Sequence, residues 1–262
     1  MNDYKLVFLD IDGTILKANH TIEVSTKNAI SQLQEKGIEV VLATGRPLHN
    51  IKDLANELSI TSFISYNGAH GIYQGEEIYR EPVDHKDIEK FVEIANAHNH
   101  ELVLYSDKEN LFTSLETDLV QQFIKTFEMN LNQIFTFANI HSILGLTIIT
   151  SEDKADTYYQ DFEGIHYSNV NVTGLKNCLD VIRDNVNKGI AVQKLIERLG
   201  YSKENTIAFG DGMNDKEMLS AVGEGIAMGN AHPDLFQYAK HVTTDVENSG
   251  IYNGLKILGL VD

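Results

Sequence analysis

Four apolar residues in a row, Leu6-Val7-Phe8-Leu9, run straight into the acidic turn Asp10-Ile11-Asp12-Gly13-Thr14. A strand without polar alternation has both faces covered, which requires a sheet with helices packed on either side. The neighbouring sequence agrees. A helix is predicted from about Ser25, its N-cap, with Ala29, Ile30 and Leu33 on one face and Gly37 at its end. Residues 38–43 read as a second buried strand. Pro47 suits the first turn of the next helix, whose inward face is Ile51, Leu54, Ala55 and Leu58. Residues 63–66 make a third strand, closed by Asn67-Gly68.

The last third repeats the pattern, with a helix near 189–199, a strand at 206–209, a short helix near 217–222 and a strand near 225–228. Alternation of this kind predicts the α/β class, a Rossmann-like doubly wound parallel sheet with right-handed crossovers. The middle differs. From about Pro82 to Val186 the runs are longer and half-polar: helices near 85–98 and 116–128, and strands near 101–105, 142–149, 165–172 and 178–183. The expected organisation is a core of 1–81 and 187–262 interrupted by an α+β insertion over 82–186, with no internal repeat.

Composition limits what such a chain can do. At 262 residues and 42% hydrophobic it can bury a sizeable core, which excludes disordered and low-complexity classes. The richest apolar stretch, 143–149, is broken by Gly145 and Thr147 and falls far short of the roughly 20 residues of a membrane span. The N-terminus enters a strand directly, so no signal peptide is expected. Cys178 stands alone, which excludes an internal disulfide and predicts a reducing, cytoplasmic setting. With 21 basic against 38 acidic side chains the net charge is −17. Nucleic acid is therefore not expected as a partner. An anionic substrate would need local positive groups or a metal ion.

Four groups of residues carry chemistry. Asp10 and Asp12 lie where ligands bind in parallel sheets, beyond a strand's carboxyl end. Two carboxylates so close repel unless a cation or shared proton intervenes, although Asp-Gly is also ordinary turn sequence. Thr44-Gly45-Arg46 ends the second strand with a hydroxyl and N–H groups that suit an oxyanion, or simply cap a helix. Lys188-Gly189 begins a helix, where the dipole disfavours a cation; that points to an anionic neighbour, against the plainer reading of a solvated charge. Gly210-Asp211-Gly212-Met213-Asn214-Asp215 follows a strand and offers hard oxygen ligands for a divalent ion. The ligand spacing of an EF-hand is absent.

These groups, in this order, resemble the haloacid dehalogenase superfamily, and with Asn67-Gly68-Ala69 after the third strand they look like its Cof-type sugar-phosphatase subfamily. The resemblance covers roughly 1–81 and 187–262, and the insertion falls where that subfamily carries an α/β cap. One departure is Arg183-Asp184-Asn185-Val186-Asn187, which lacks the proline often found before the lysine. The resemblance implies a phosphatase that hydrolyses small phosphorylated metabolites with Mg²⁺. Asp10 would be the nucleophile, forming an aspartyl-phosphate, and Asp12 the general acid and then base. Asp10, the main-chain carbonyl of Asp12 and Asp211 would bind Mg²⁺, with Asp215 supporting them from behind. Thr44, Arg46, Lys188, Asn214 and main-chain N–H groups near Ile11 and Gly45 would hold the phosphoryl oxygens. Thr44 and Lys188 would thus join Asp10 and Asp12 in catalysis.

Asp12 also argues against carbon–halogen cleavage, which produces no alkoxide to protonate. A phosphomutase shares the first half-reaction and stays open as an alternative, as does a catalytically quiet phosphate sensor. The chain is expected as a monomer or homodimer without membrane contact. The ten histidines show no zinc spacing and read as surface or insertion residues; Tyr158, Tyr159, Phe162 and Tyr167 read as core of the insertion, and Cys178 as a small buried group in a strand.

Overall fold

The computed structural model describes residues 3–262. The first elements are β1 (Leu6–Leu9), α1 (Val24–Glu35), β2 (Glu39–Ala43), α2 (Lys52–Glu57), β3 (Ser62–Ser65), β4 (His70–Tyr73) and β5 (Glu76–Arg80). There follow α3 (His85–His98), β6 (Glu101–Tyr105), β7 (Asn110–Phe112), α4 (Asp118–Thr126), β8 (Asn132–Ile134), β9 (Gly145–Ile149), β10 (Ile165–Asn169) and β11 (Leu179–Arg183). The chain ends with α5 (Lys188–Leu199), β12 (Thr206–Gly210), α6 (Lys216–Ala221), β13 (Glu224–Ala227), β14 (His241–Val242) and α7 (Gly250–Ile257). It forms two compact units. One contains the chain up to Arg46, Lys52–Tyr79 and Asn187–Asp262; the other contains Pro47–Ile51 and Arg80–Val186.

The first unit is built on an eight-stranded sheet of order β14-β13-β12-β1-β2-β3-β4-β5. Strands from β14 through β3 are parallel, and β4 turns the far edge antiparallel. All four side chains of β1 are inaccessible, as an unbroken apolar run requires. Leu6 and Phe8 join Val41, Ala43, Ile64 and Ala208 under α5 and α6, while α1 and α7 pack together elsewhere on the sheet. Gly189 lets α5 and α6 approach: a Cβ there would lie 2.5 Å from the carbonyl oxygen of Glu217. Because β1 lies between β2 and β12, the chain leaves it toward opposite edges. Its carboxyl end is therefore the switch point where parallel sheets open a crevice.

The second unit carries a six-stranded sheet of order β10-β11-β9-β6-β7-β8. Phe91 of α3 stacks on Phe162 at 3.9 Å within one apolar cluster, and α4 contributes Val120 and Phe123 to another. The Arg183 guanidinium donates to the carbonyls of Glu81, Pro82 and Leu144, which ties the segment that enters this unit to the strand that leaves it.

Several local expectations are corrected. Glu23, not Ser25, occupies the cap position of α1, and the Ser25 hydroxyl instead donates to Ser249 Oγ, a tertiary contact that outcompetes capping. Pro47 precedes a short 3-10 turn, and α2 begins only at Lys52. The hairpin β4–β5 was not expected. It lies at a sheet edge and is largely polar, so apolar runs do not mark it. His70 within it is buried rather than a surface residue, its Nε2 2.8 Å from Glu77 Oε2. Tyr159 is fully buried, whereas Tyr158 is exposed and stacks on His98 at 3.7 Å. Cys178 is buried just ahead of β11. No helix among the described residues is long and apolar enough to cross a membrane.

Candidate active site

Asp10 follows β1 and its N–H donates to Phe209 O on β12, so the neighbouring strand sets its position. The Ile11 carbonyl then accepts the N–H groups of Thr14, Ile15 and Leu16, which closes a tight turn around Asp12 and Gly13. The turn brings Thr14 Oγ1 to Asp211 Oδ1 at 3.1 Å. Gly13 adopts φ +78°, and a Cβ there would meet Asp211 Oδ2 at 2.2 Å. Gly13→Ala should therefore cost about 1–3 kcal/mol in backbone strain and displace Asp211. Urea unfolding and calorimetric metal titration check this; a variant with unchanged stability and metal affinity would contradict the geometry.

Lys188 opens α5, with Asn187 as N-cap through Oδ1 on the Ile190 N–H at 2.9 Å. Its side chain is completely buried. Nζ donates to Asp10 Oδ1 and Asp215 Oδ1, each at 2.6 Å. This is the anionic surrounding that a lysine at a helix start required. Asp215 is itself buried, and its Oδ2 accepts the N–H groups of Asp211 and Gly212 at 3.0 and 3.1 Å. Asp215 thus shapes the loop after β12 and tethers the lysine.

Asp10, Asp211 and Asp215 each offer a carboxylate oxygen, all within 4.8 Å of one another. Three carboxylates against one ammonium leave two negative charges in excess. The titration shifts reflect burial first and that imbalance second. Burial lifts the Asp10 carboxyl well above its ordinary range; Lys188 opposes this, and Asp215 and Asp211 add to it. Burial and then the Asp215 charge push Asp211 up to about 6. Burial alone would lower Lys188, but Asp10 and Asp215 overcome that and raise it. Hard oxygen donors carrying surplus negative charge fit a divalent cation.

Thr44 and Asn214 lie at two other strand ends. The Thr44 hydroxyl, buried at the end of β2, accepts the Arg46 N–H at 3.1 Å. Thr44 O accepts the Asn67 N–H, and Asn67 Oδ1 accepts from Asn214 Nδ2 at 3.1 Å. Asn67 and Tyr66 both have positive φ, 52° and 54°, a conformation that non-glycine residues adopt at some energetic cost. Asp12 stands apart. Its side chain is 56% exposed and both its oxygens accept from Arg46, at 2.8 Å from Nε and 2.5 Å from Nη2. Ile11, the residue before it, is buried.

The structure thus brings Asp10, Lys188, Asp211 and Asp215 together, links Thr44 and Asn214 through Asn67, and joins Arg46 to Asp12. Three residues beyond those expected also belong to the site: Thr14, Asn67 and Asn230. Thr14 and Asn67 stand inside the quoted motifs. Asn230, whose Nδ2 donates to Gly13 O at 2.8 Å while its Oδ1 accepts the Val246 N–H, lies beyond the carboxyl end of β13. That position was its only sequence signal.

Comparison with known proteins places these observations. Residues 7–255 match the family of haloacid dehalogenase-like hydrolases. YkrA of Bacillus subtilis (strain 168), provisionally named a phosphatase, is 33% identical over 262 residues, 99% of either chain. The HMP-PP phosphatase of Klebsiella pneumoniae (strain 342) is 29% identical over 255 residues, 91% of this chain and 89% of its own. A crystal structure of a hypothetical protein from Geobacillus kaustophilus HTA426 superposes with a TM-score of 0.91 at 29% identity, covering 98% of this chain and all of that one.

Proposed function

The chain belongs to the haloacid dehalogenase-like hydrolases and is a phosphatase, and on that premise we propose that it hydrolyses small phosphorylated metabolites, phosphorylated sugars foremost, with Mg²⁺ and through an aspartyl-phosphate. The observation that carries this reading is the buried Asp10–Lys188–Asp215 group beside Asp211 at the sheet's switch point.

Asp10 and Asp211, with the main-chain carbonyl of Asp12, would hold Mg²⁺, and Asp215 keeps their loop in shape. The bound ion supplies positive charge that lets a carboxylate approach a phosphate dianion. Lys188 fixes the Asp10 carboxylate through Oδ1, and one oxygen of that carboxylate attacks phosphorus. Thr44, Arg46, Asn214 and the N–H groups of Ile11 and Gly45 hold the phosphoryl oxygens, and Lys188 adds charge. As the new O–P bond forms, the ester P–O bond breaks and the departing oxygen takes a proton from Asp12. Water then attacks the aspartyl-phosphate and returns a proton to Asp12, releasing phosphate and restoring Asp10. We assign substrate selection to the unit containing Arg80–Val186.

Turnover of p-nitrophenyl phosphate should require Mg²⁺, stop with excess chelator, and in Asp211→Ala be lost or return only at much higher Mg²⁺. Undiminished turnover in chelator would overturn this reading. The metal should also stabilise in a pH-dependent way. Without it, the folded Asp211 carboxyl titrates at about 6 against an ordinary 3.8. A carboxyl raised by folding contributes stability that is complete below the lower value and lost as pH rises through the upper one. Mg²⁺ should therefore raise the melting temperature more at neutral pH than near pH 5, and a shift of equal or smaller size at neutral pH would contradict it.

A further inference from the structure

Arg46 lays both arms of its guanidinium on Asp12, Nε on Oδ2 and Nη2 on Oδ1. An arginine fork takes two oxygens of a carboxylate or of a phosphoryl group with the same geometry. While it holds Asp12, neither carboxylate oxygen is free to turn toward a leaving group. Around the pair, the main chain is fixed. The Arg46 N–H is held by the Thr44 hydroxyl, and the Ile11 carbonyl receives three N–H groups from the turn that carries Asp12. The two side chains, by contrast, are 30% and 56% exposed and have room to rotate. One fork thus stands between two claimants: the Asp12 carboxylate it now holds, and a phosphoryl group bound at Thr44-Gly45, next to it in sequence.

We propose that Arg46 is a positioning residue that holds Asp12 aside until phosphoryl oxygens take over its fork, so that phosphate binding itself releases Asp12 toward the leaving group. The exchange trades one bidentate, charge-assisted contact for another. It also couples the presence of substrate to the availability of the acid. It rests on the assignment of Asp12 as general acid given above.

The test is a double-mutant cycle on binding of inorganic phosphate, measured by calorimetry with Mg²⁺ present, for the wild type, Arg46→Ala, Asp12→Ala and the double variant. If the fork is exchanged, Asp12→Ala frees it in advance and phosphate should bind about tenfold tighter than to the wild type. Arg46→Ala should then weaken phosphate binding more in the Asp12→Ala background than in the wild type. If Arg46 serves only Asp12 and never reaches the phosphoryl group, the order inverts, because Arg46→Ala in the wild type bares a carboxylate that repels the anion, whereas in the Asp12→Ala background it removes no contact to phosphate. Either the inverted order or equal losses in the two backgrounds overturns the exchange. Arg46→Lys, which keeps the charge without the fork, should restore less than half of the coupling. Wild-type turnover of p-nitrophenyl phosphate separates the two levels: no turnover defeats the phosphatase reading, whereas turnover with an inverted cycle defeats only the exchange.

Discussion

Lys188→Met is expected to destabilise the fold by about 3–5 kcal/mol, the cost typical of removing one partner from a buried ion pair. Nζ is the shared donor to Asp10 Oδ1 and Asp215 Oδ1, and all three side chains are at least nine-tenths buried. Methionine fills a similar volume, so the loss measures charge rather than a cavity. Its pH dependence has a definite sign. Asp10 already titrates well above the ordinary carboxylate range with the lysine in place, and without it the folded protein should favour the protonated acid still more. A raised carboxyl contributes stability at low pH that is lost as pH rises through its folded value. The deficit of the variant should therefore be largest at neutral pH and narrow in mildly acidic buffer. Urea unfolding of both proteins without metal, at two pH values, decides it. A deficit below about 1 kcal/mol, the range of an exposed pair, or one that grows on acidification, would show that Lys188 does not hold this cluster together.

Asp10→Asn and Asp12→Asn should separate two carboxylates only two residues apart. Asp10→Asn removes the proposed nucleophile, so every phosphate ester should lose turnover alike. Asp12→Asn keeps the main-chain carbonyl and leaves Asp10 able to attack, but has no proton to give. General-acid help is worth roughly 10²- to 10⁴-fold, and its value follows the leaving group's need for a proton. A sugar alkoxide needs one, and p-nitrophenolate largely does not. Single-turnover release of the alcohol should therefore fall far more on a sugar phosphate than on p-nitrophenyl phosphate. Phosphorylated enzyme should also accumulate, because hydrolysis of the intermediate uses the same residue as base. Equal losses on the two esters would remove Asp12 from proton transfer.

What the sequence determined by itself was local. An unbroken apolar run such as Leu6–Leu9 has no polar face to offer water, so it reads as a covered strand wherever it occurs. Acidic and glycine-rich turns placed directly after such strands then fall at the carboxyl ends of a parallel sheet. Lys188 announced an anionic neighbour because a cation at a helix start opposes the dipole. Which neighbours it has was decided only by tertiary structure. Asp10 lies 178 residues away and Asp215 lies 27 away, and nothing in either stretch states that β1 and β12 are adjacent. The same holds for Arg46 on Asp12, for Asn67 between Thr44 and Asn214, and for Asn230 on the Gly13 carbonyl. Each joins loops from different strand ends, so its partner depends on strand order rather than on spacing. Ser25 shows the reverse effect, a residue with sound local credentials for a cap whose hydroxyl goes to Ser249 instead. Propensity and periodicity act over one or two turns of chain, whereas the charge balance of this site is set by groups that meet only when the sheet assembles.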